Sequence, residues 1–328
     1  MEIRQLKYFV AIIDCGSLSG AAREVFVAQS ALSKQVLELE KELGVQLLHR
    51  NRNGVSATDP GKVFYEYAQG ILKHLQDARV AVLDSAQTLS GSVVVALPQS
   101  VASPLALPLL RAVAARYPHI SLNLNEELTG NLFEQLLYGR IDLALFTDVG
   151  LPAEIAFSPL LQEDFYWLCA ATDPQPPGTG ALTLEQALER PLVWPGLAHG
   201  HCTRALVEAA LAKQGAFVES VALEVNSVHI LKSAVEAGIG PTIMPLNLAR
   251  REVDEGRLIA RRIDCPGLYR RVGLCVSTRM PSTPARQAVA DLIRQVVSDM
   301  CLQDQWPGSH VLTAPSSTPR CRAANRRL

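Results

Sequence analysis

The chain has 328 residues, 48% apolar and 19% charged, enough for about two domains with sizeable cores and unlike a disordered or fibrous polymer. A formal net charge of −1 excludes any global pull towards polyanions, so a nucleic-acid site must be local. Seven cysteines (15, 169, 202, 265, 275, 301 and 321) are scattered without a CxxC, which argues against a zinc module or a disulfide framework and for a reducing cytoplasm. Arg4 and Lys7 precede an apolar run, Tyr8–Ile13, too short for a signal segment. The uncharged stretch 85–110 is broken by Pro98, Pro104 and Pro108 and falls short of a membrane span. A soluble chain with no membrane partner is expected.

Residues 1–58 read as three short helices and a hairpin. Leu6, Phe9, Val10 and Ile13 form the apolar stripe of a first helix that Gly16 ends. Ser17 or Ser19 caps a second helix through Ala21, Ala22, Val25 and Phe26. After a break near Val27-Ala28, Leu32, Val36, Leu39 and Leu43 mark a third, closed by Gly44. The basic segment Leu47–Val55 carries Asn53-Gly54, a hairpin turn signal. This is the outline of a winged helix-turn-helix, with the helix-turn-helix at about 18–37.

Residues 59–90 read as one long helix, capped by Thr58 or Asp59 with Pro60 in its first turn. Phe64, Ala68, Ile71, Leu75, Ala78 and Val82 form a coiled-coil seam. Such a seam packs either on its own domain or on a second copy, and dimerisation is the preferred reading.

Residues 91–300 alternate strands and helices. Ser92–Leu97, a helix opening at Ser103-Pro104 and running to Arg116, Ile120–Asn125, a helix Thr129–Tyr138 and Ile141–Phe146 give a βαβαβ order and hence a parallel sheet. A second set follows: strand Phe165–Ala170, helix 203–214, strand 219–225, helix 227–237 and strand Thr242–Met244. Strand Val272–Ser277 then returns to the first set before a last helix at 284–299. The expected architecture is two α/β lobes of periplasmic-binding-protein type, lobe I at 91–163 and 268–300 and lobe II at 164–267, with a cleft suited to a small ligand. Residues 301–328 carry Arg320, Arg322, Arg326 and Arg327 and read as a disordered basic tail, solvated or in auxiliary contact with DNA.

This order of parts resembles the LysR-type transcriptional regulators. The strings that carry the likeness are Leu6-Lys7-Tyr8-Phe9-Val10, Gly16–Ala22, Gln29-Ser30-Ala31-Leu32-Ser33, Leu39–Gly44, the wing Leu47–Gly61 and Ala237–Pro245. Ala28-Gln29, Gly54-Val55 and Gln87–Gly91 are similar to the nitrogen-assimilation-control subgroup. Asn53, Ser30 and Leu37-Glu38 depart from the family pattern, so operator sequence transfers least. The resemblance implies a homodimer or homotetramer on an interrupted inverted repeat in double-stranded DNA, a contact with RNA polymerase, and no cofactor.

A recognition helix enters the major groove at its N-terminus. Gln29, Ser30, Ser33 and Lys34 occupy its first turns opposite the apolar stripe; Gln reads adenine, Ser reaches bases or phosphates, Lys reaches guanine or phosphate. Arg50 and Arg52 on the wing are expected to hold backbone phosphate. Six acids against seven Lys/Arg leave residues 1–58 barely cationic, so useful affinity requires two or more modules on one DNA.

In the lobes, Ser103 and Thr129 start helices just after strands, with Ser100 in the loop beside them. They either cap those helices or bind an anion at the free N–H groups. Family analogy adds Phe146, Thr147, Cys202, Thr203 and Asn226 as contacts for a small anionic effector. No enzyme constellation emerges. The rival is a thiol or metal-dependent enzyme built on the loop of His199, His201 and Cys202, which lacks further ligands at convincing spacing.

Overall fold

The computed structural model describes residues 1–51, 54–83, 89–127, 129–148, 150–174, 178–196, 202–213 and 223–312. Helix α1 (Ile3–Cys15) buries Gln5, Leu6, Phe9 and Ile12. Ile13, the last residue of the expected stripe, is half-buried against the same core, which three other helices complete, and Ile12 beside it is fully buried. Both isoleucines lie about one turn from Phe9 at a period of 3.6. Ser17 caps α2 (Leu18–Glu24), its Oγ accepting from the Gly20 N–H at 2.9 Å. That helix ends before Val25 and Phe26, which were expected to extend it. Phe26 takes the left-handed conformation (φ 56°) and its side chain is 94% exposed. Helix α3 (Gln29–Leu43) buries Leu32, Val36 and Leu39, and Gly44 ends it at φ 70°.

Strands β1 (Leu48–Asn51) and β2 (Gly54–Ala57) pair antiparallel, Arg50 opposite Val55. The wing is tied to the end of α1 by a Val55 N–H bond to the Gly16 carbonyl at 2.8 Å. A Cβ at Gly54 would stand 2.7 Å from that same oxygen.

Helix α4 spans Asp59–Leu83, and Thr58 is its cap, Oγ1 accepting from Gly61 at 3.0 Å. The helix was expected to reach residue 90, but residues 89 and 90 are not helical and the chain enters a strand at Gly91. The start of its seam packs on its own module, where Phe64 meets Phe9 edge-on at 5.2 Å, and Ala68 one turn on is fully buried. Ile71 and Val82 farther along are exposed, Val82 to 79%.

The chain divides into two compact units, Met1–Ala156 with Gly196–Cys202 and Cys275–Val296, and Phe157–Pro195 with Thr203–Leu274 and Val297–Leu328. In the first, β3 (Gly91–Leu97) lies parallel between β4 (Ile120–Glu126) and β5 (Leu143–Thr147), with α5 (Gln99–Arg116) and α6 (Thr129–Leu137) as crossovers. Helix α5 starts four residues before the expected Ser103, with Pro98 at its N-cap. Val101, Ala102, Leu105 and Leu109 are all buried along one face, and that burial outweighs the backbone bonds lost at Pro104 and Pro108. Helix α4 is docked on this lobe. Arg140 pairs with Glu66 at 2.7 Å, Lys73 with Asp142 at 2.7 Å, and Tyr67 stacks near Tyr138. A side chain at Gly70 would collide with the Tyr138 carbonyl.

In the second unit the long β6 (Ile155–Ala170), which begins at the end of the first, pairs antiparallel with β9 (Thr242–Pro245), β10 (Leu258–Arg262) and β12 (Ser309–Val311). Strands β7 (Val193–Pro195) and β8 (Leu223–Val225) pair in parallel. Helices α7 (Leu184–Leu188), α8 (Cys202–Ala212), α9 (Val228–Glu236) and α10 (Arg250–Asp254) complete the set, and β11 (Tyr269–Ser277) carries the chain back to α11 (Pro284–Leu302). The basic tail expected from residue 301 is folded through its first part. Trp306 is buried and donates to Glu163 Oε1 at 2.7 Å, and β12 extends the sheet. The arginines at 320, 322, 326 and 327 lie outside the described residues.

Candidate nucleic-acid interface

The apolar stripe of α3 faces the module core, which turns its other face outward. Gln29, Ser30 and Lys34 are exposed and Ser33 half-buried on that outer face. The N–H groups of the first turn, which no side chain caps, point along the axis off the same end, so this end offers donors and a positive dipole together. Strand β1 brings Arg50 beside it: Nη1 donates to Ser33 Oγ at 3.0 Å, and Nη2 lies 3.8 Å from Glu40 Oε2. Lys34 is offset by Glu38 one turn on, at 3.9 Å. Of the six residues expected at DNA, the structure thus sets Ser33 against Arg50 and leaves Gln29, Ser30 and Lys34 on the same helix. Arg52 lies outside the described residues.

Glu40 organises this arrangement, yet in the sequence it stood only among the acids that reduce the module's charge and inside the string Leu39–Gly44, with no role of its own. Its Oε1 accepts from the backbone N–H groups of Leu47 and Leu48 at 2.8 and 3.1 Å, pinning the start of the wing to α3. No spacing rule marks an acid seven residues before the amide it receives, so the sequence offered no signal.

The expected effector residues are distributed over both units. In the first, Phe146 and Thr147 end β5 and are buried, and Phe133 meets Phe146 edge-on at 5.0 Å. Cys202 opens α8 with Sγ 3.5 Å from Thr147 Oγ1. Ser100 lies in the first turn of α5, not in a loop, and Ser103 lies in the exposed interior of that helix, so Ser103 does not cap it. Thr129 opens α6, and its side chain lies outside the described residues. In the second unit, Thr203 is buried at the start of α8, and Asn226 precedes Ser227, the cap of α9. His199 and His201 lie outside the described residues. Among those described, no three His, Cys, Asp or Glu side chains gather in a metal-binding group, and no helix is long and apolar enough to cross a membrane. Burial pushes the Cys169 thiol up to about 11 and that of Cys275 higher still, so both stay protonated.

A three-helix module with a wing, whose recognition helix presents small donors at an exposed N-terminus, defines a winged helix-turn-helix DNA-binding protein. Residues 3–62 match the bacterial regulatory helix-turn-helix protein family of lysR type, and residues 86–298 match the LysR substrate binding domain. The chain belongs to the LysR family: it is a DNA-binding transcriptional regulator and not an enzyme, which sets aside the alternative built on His199, His201 and Cys202. It is 33% identical over 306 residues to the nitrogen assimilation regulatory protein nac of Klebsiella aerogenes, covering 93% of this chain and 98% of that one. The protein of the same name from Escherichia coli K12 is 32% identical over 308 residues, with 93% and 99% covered. Among solved structures, a full-length OxyR variant from Pseudomonas aeruginosa superposes with a TM-score of 0.67 at 23% identity, covering 90% and 94% of the two chains. Full-length CbnR complexed with its target DNA gives 0.65 at 22%, covering 90% and 100%. At these identities the structures speak for the fold.

Proposed function

We propose that two copies of this chain pair through α4 and place two recognition helices on an interrupted inverted repeat. Gln29, Ser30, Ser33 and Lys34 read base edges, and Arg50 and Arg52 hold phosphate. The observation that carries the pairing is the second half of the α4 seam, where Ile71 is 42% and Val82 79% exposed among the described residues. The regulator works in the cytoplasm, associates further to a tetramer and acts on RNA polymerase. Its target genes belong to nitrogen metabolism, a reading supported by the likeness to the nac proteins over 93% of the chain. A small anionic effector held in the first unit by residues among Ser100, Thr129, Phe146, Thr147 and Cys202 shifts the protein between two states, which requires that it bind them unequally.

Selection of bound sequences from random DNA tests this reading. The wild type is expected to enrich two half-sites in inverted orientation. An Ile71→Glu/Val82→Glu variant is expected to run as a monomer and to enrich nothing, or single half-sites. A wild-type motif without a repeat, or a variant that still selects the full repeat, refutes pairing through α4.

A further inference from the structure

A cavity of about 350 Å³ lies where α4 meets the first lobe, away from the DNA-contact and effector positions assigned above, and its volume is within the range of small-molecule sites. Helix α4 supplies one wall through His74, Asp77 and Ala78, and the segment leading into α11, with Met280 and Arg286, supplies another. Both carboxylates at the cavity already have a cation. Lys73 Nζ binds Asp77 at 2.8 Å and Asp142 at 2.7 Å, and the second Asp142 oxygen accepts from the Val94 N–H.

Arg286 is treated differently. Its side chain is 6% exposed, no described carboxylate lies within ion-pair distance, and its one side-chain hydrogen bond runs from Nη1 to the Pro281 carbonyl at 3.2 Å. Burial holds its pKa below the usual guanidinium range, with Asp142 and Asp77 opposing that shift from farther away. A buried cation with so little compensation is costly to the fold, and an anion removes the cost. On the α4 side, His74 Nε2 is buried with no hydrogen-bond partner among the described residues. The remaining lining includes Ile141, Met280 and Pro284, which are apolar.

We infer that this junction cavity binds a small monocarboxylate with a short apolar body. The carboxylate sits on the Arg286 guanidinium with His74 as second donor, and the body lies against Ile141 and Met280. A planar carboxylate suits the guanidinium fork. A doubly charged phosphate or sulfate does not suit a site that also faces Asp77 and Asp142. Such a ligand bridges α4, the helix that follows the DNA-binding module, to the first lobe. It is a second input, separate from the effector proposed above.

Titration calorimetry on the full-length protein tests this with butyrate and benzoate as probes and sulfate as the comparison. One of the two carboxylates is expected to bind once per chain, and sulfate is expected not to compete. Arg286→Gln should weaken binding at least tenfold. Ser282→Phe, at an exposed position on the segment leading into α11 and outside the α4 seam, should fill the cavity and abolish binding while the helical spectrum and DNA binding persist. Thr147→Ala, outside the cavity, should leave the affinity unchanged. The inference is overturned if neither carboxylate binds the wild type, if sulfate competes equally, if binding survives Ser282→Phe, or if Thr147→Ala removes it. Should Arg286→Gln fail to fold, Ser282→Phe still decides. Failure here leaves the DNA selection above untouched, so the two proposals fail separately.

Discussion

Replacing Glu40 with alanine removes the acceptor that fixes the wing to the recognition helix. Leu47 and Leu48 then lose a charged partner for two part-buried N–H groups. A hydrogen bond to a charged group contributes about 1.5–3 kcal/mol. The carboxylate is 11% exposed, so solvent screens it little, but both bonds share one oxygen and do not add fully. The Arg50 contact at 3.8 Å, with the arginine side chain 36% exposed to water, adds under about 1 kcal/mol. The expected loss is about 3 kcal/mol in the DNA-binding module, and about half of that for Glu40→Gln, which keeps an acceptor. Denaturant titration separates the two units. All three tryptophans (Trp167, Trp194 and Trp306) lie in the second unit, so their fluorescence transition should stay in place while the helical signal of the first unit moves to lower denaturant. DNA affinity should fall with it, because Arg50 is no longer presented beside Ser33. A change below about 0.5 kcal/mol in the helical transition, or an equal shift in fluorescence, would refute the clamp.

Phe26→Gly should stabilise the module by roughly 0.5–1 kcal/mol, since glycine relieves the left-handed strain at the cost of extra freedom in the unfolded chain; a lower melting temperature would contradict this. Glu163→Gln should destabilise the second unit by about 3–5 kcal/mol, read as an earlier tryptophan transition, because it leaves the Arg270 guanidinium buried beside a neutral group. Tyr65 is pushed up to about 12 by burial and by its hydrogen bond to Asp14. Its folded pKa is above the unfolded value, so its contribution is complete below about pH 10 and is lost as pH rises towards 12. Tyr65→Phe should therefore flatten the alkaline fall in stability, and an unchanged alkaline limb would count against the contact.

Elements with strong period and clear punctuation were legible from residues alone. Leu32, Val36 and Leu39 with Gly44 defined the recognition helix, and Ile120–Asn125 alternated as a strand. Misplaced boundaries had identifiable causes. Val25 and Phe26 continue the apolar pattern of α2, but the chain must turn there, so Phe26 leaves the core. Ser103-Pro104 carries the usual helix-start signal, yet apolar residues upstream at Val101 and Ala102 extend the burial and carry α5 back to Gln99. The segment after 301 reads as solvated by composition, while one tryptophan, paired with a buried glutamate 143 positions away, folds its first turns. Glu40 and Arg286 were invisible for the same reason. Their roles rest on partners brought by tertiary contact, and a single sequence carries no pattern for that.

The most direct test of DNA reading by this helix compares sequence-preference profiles of the wild type, Gln29→Ala and Arg50→Ala at matched salt. Gln29→Ala is expected to relax preference at one position in each half-site, at about 1–3 kcal/mol, while Arg50→Ala weakens all sequences alike and lowers the salt slope by about one per module. Uniform weakening by Gln29→Ala with an unchanged motif would contradict base reading by the N-terminus of α3.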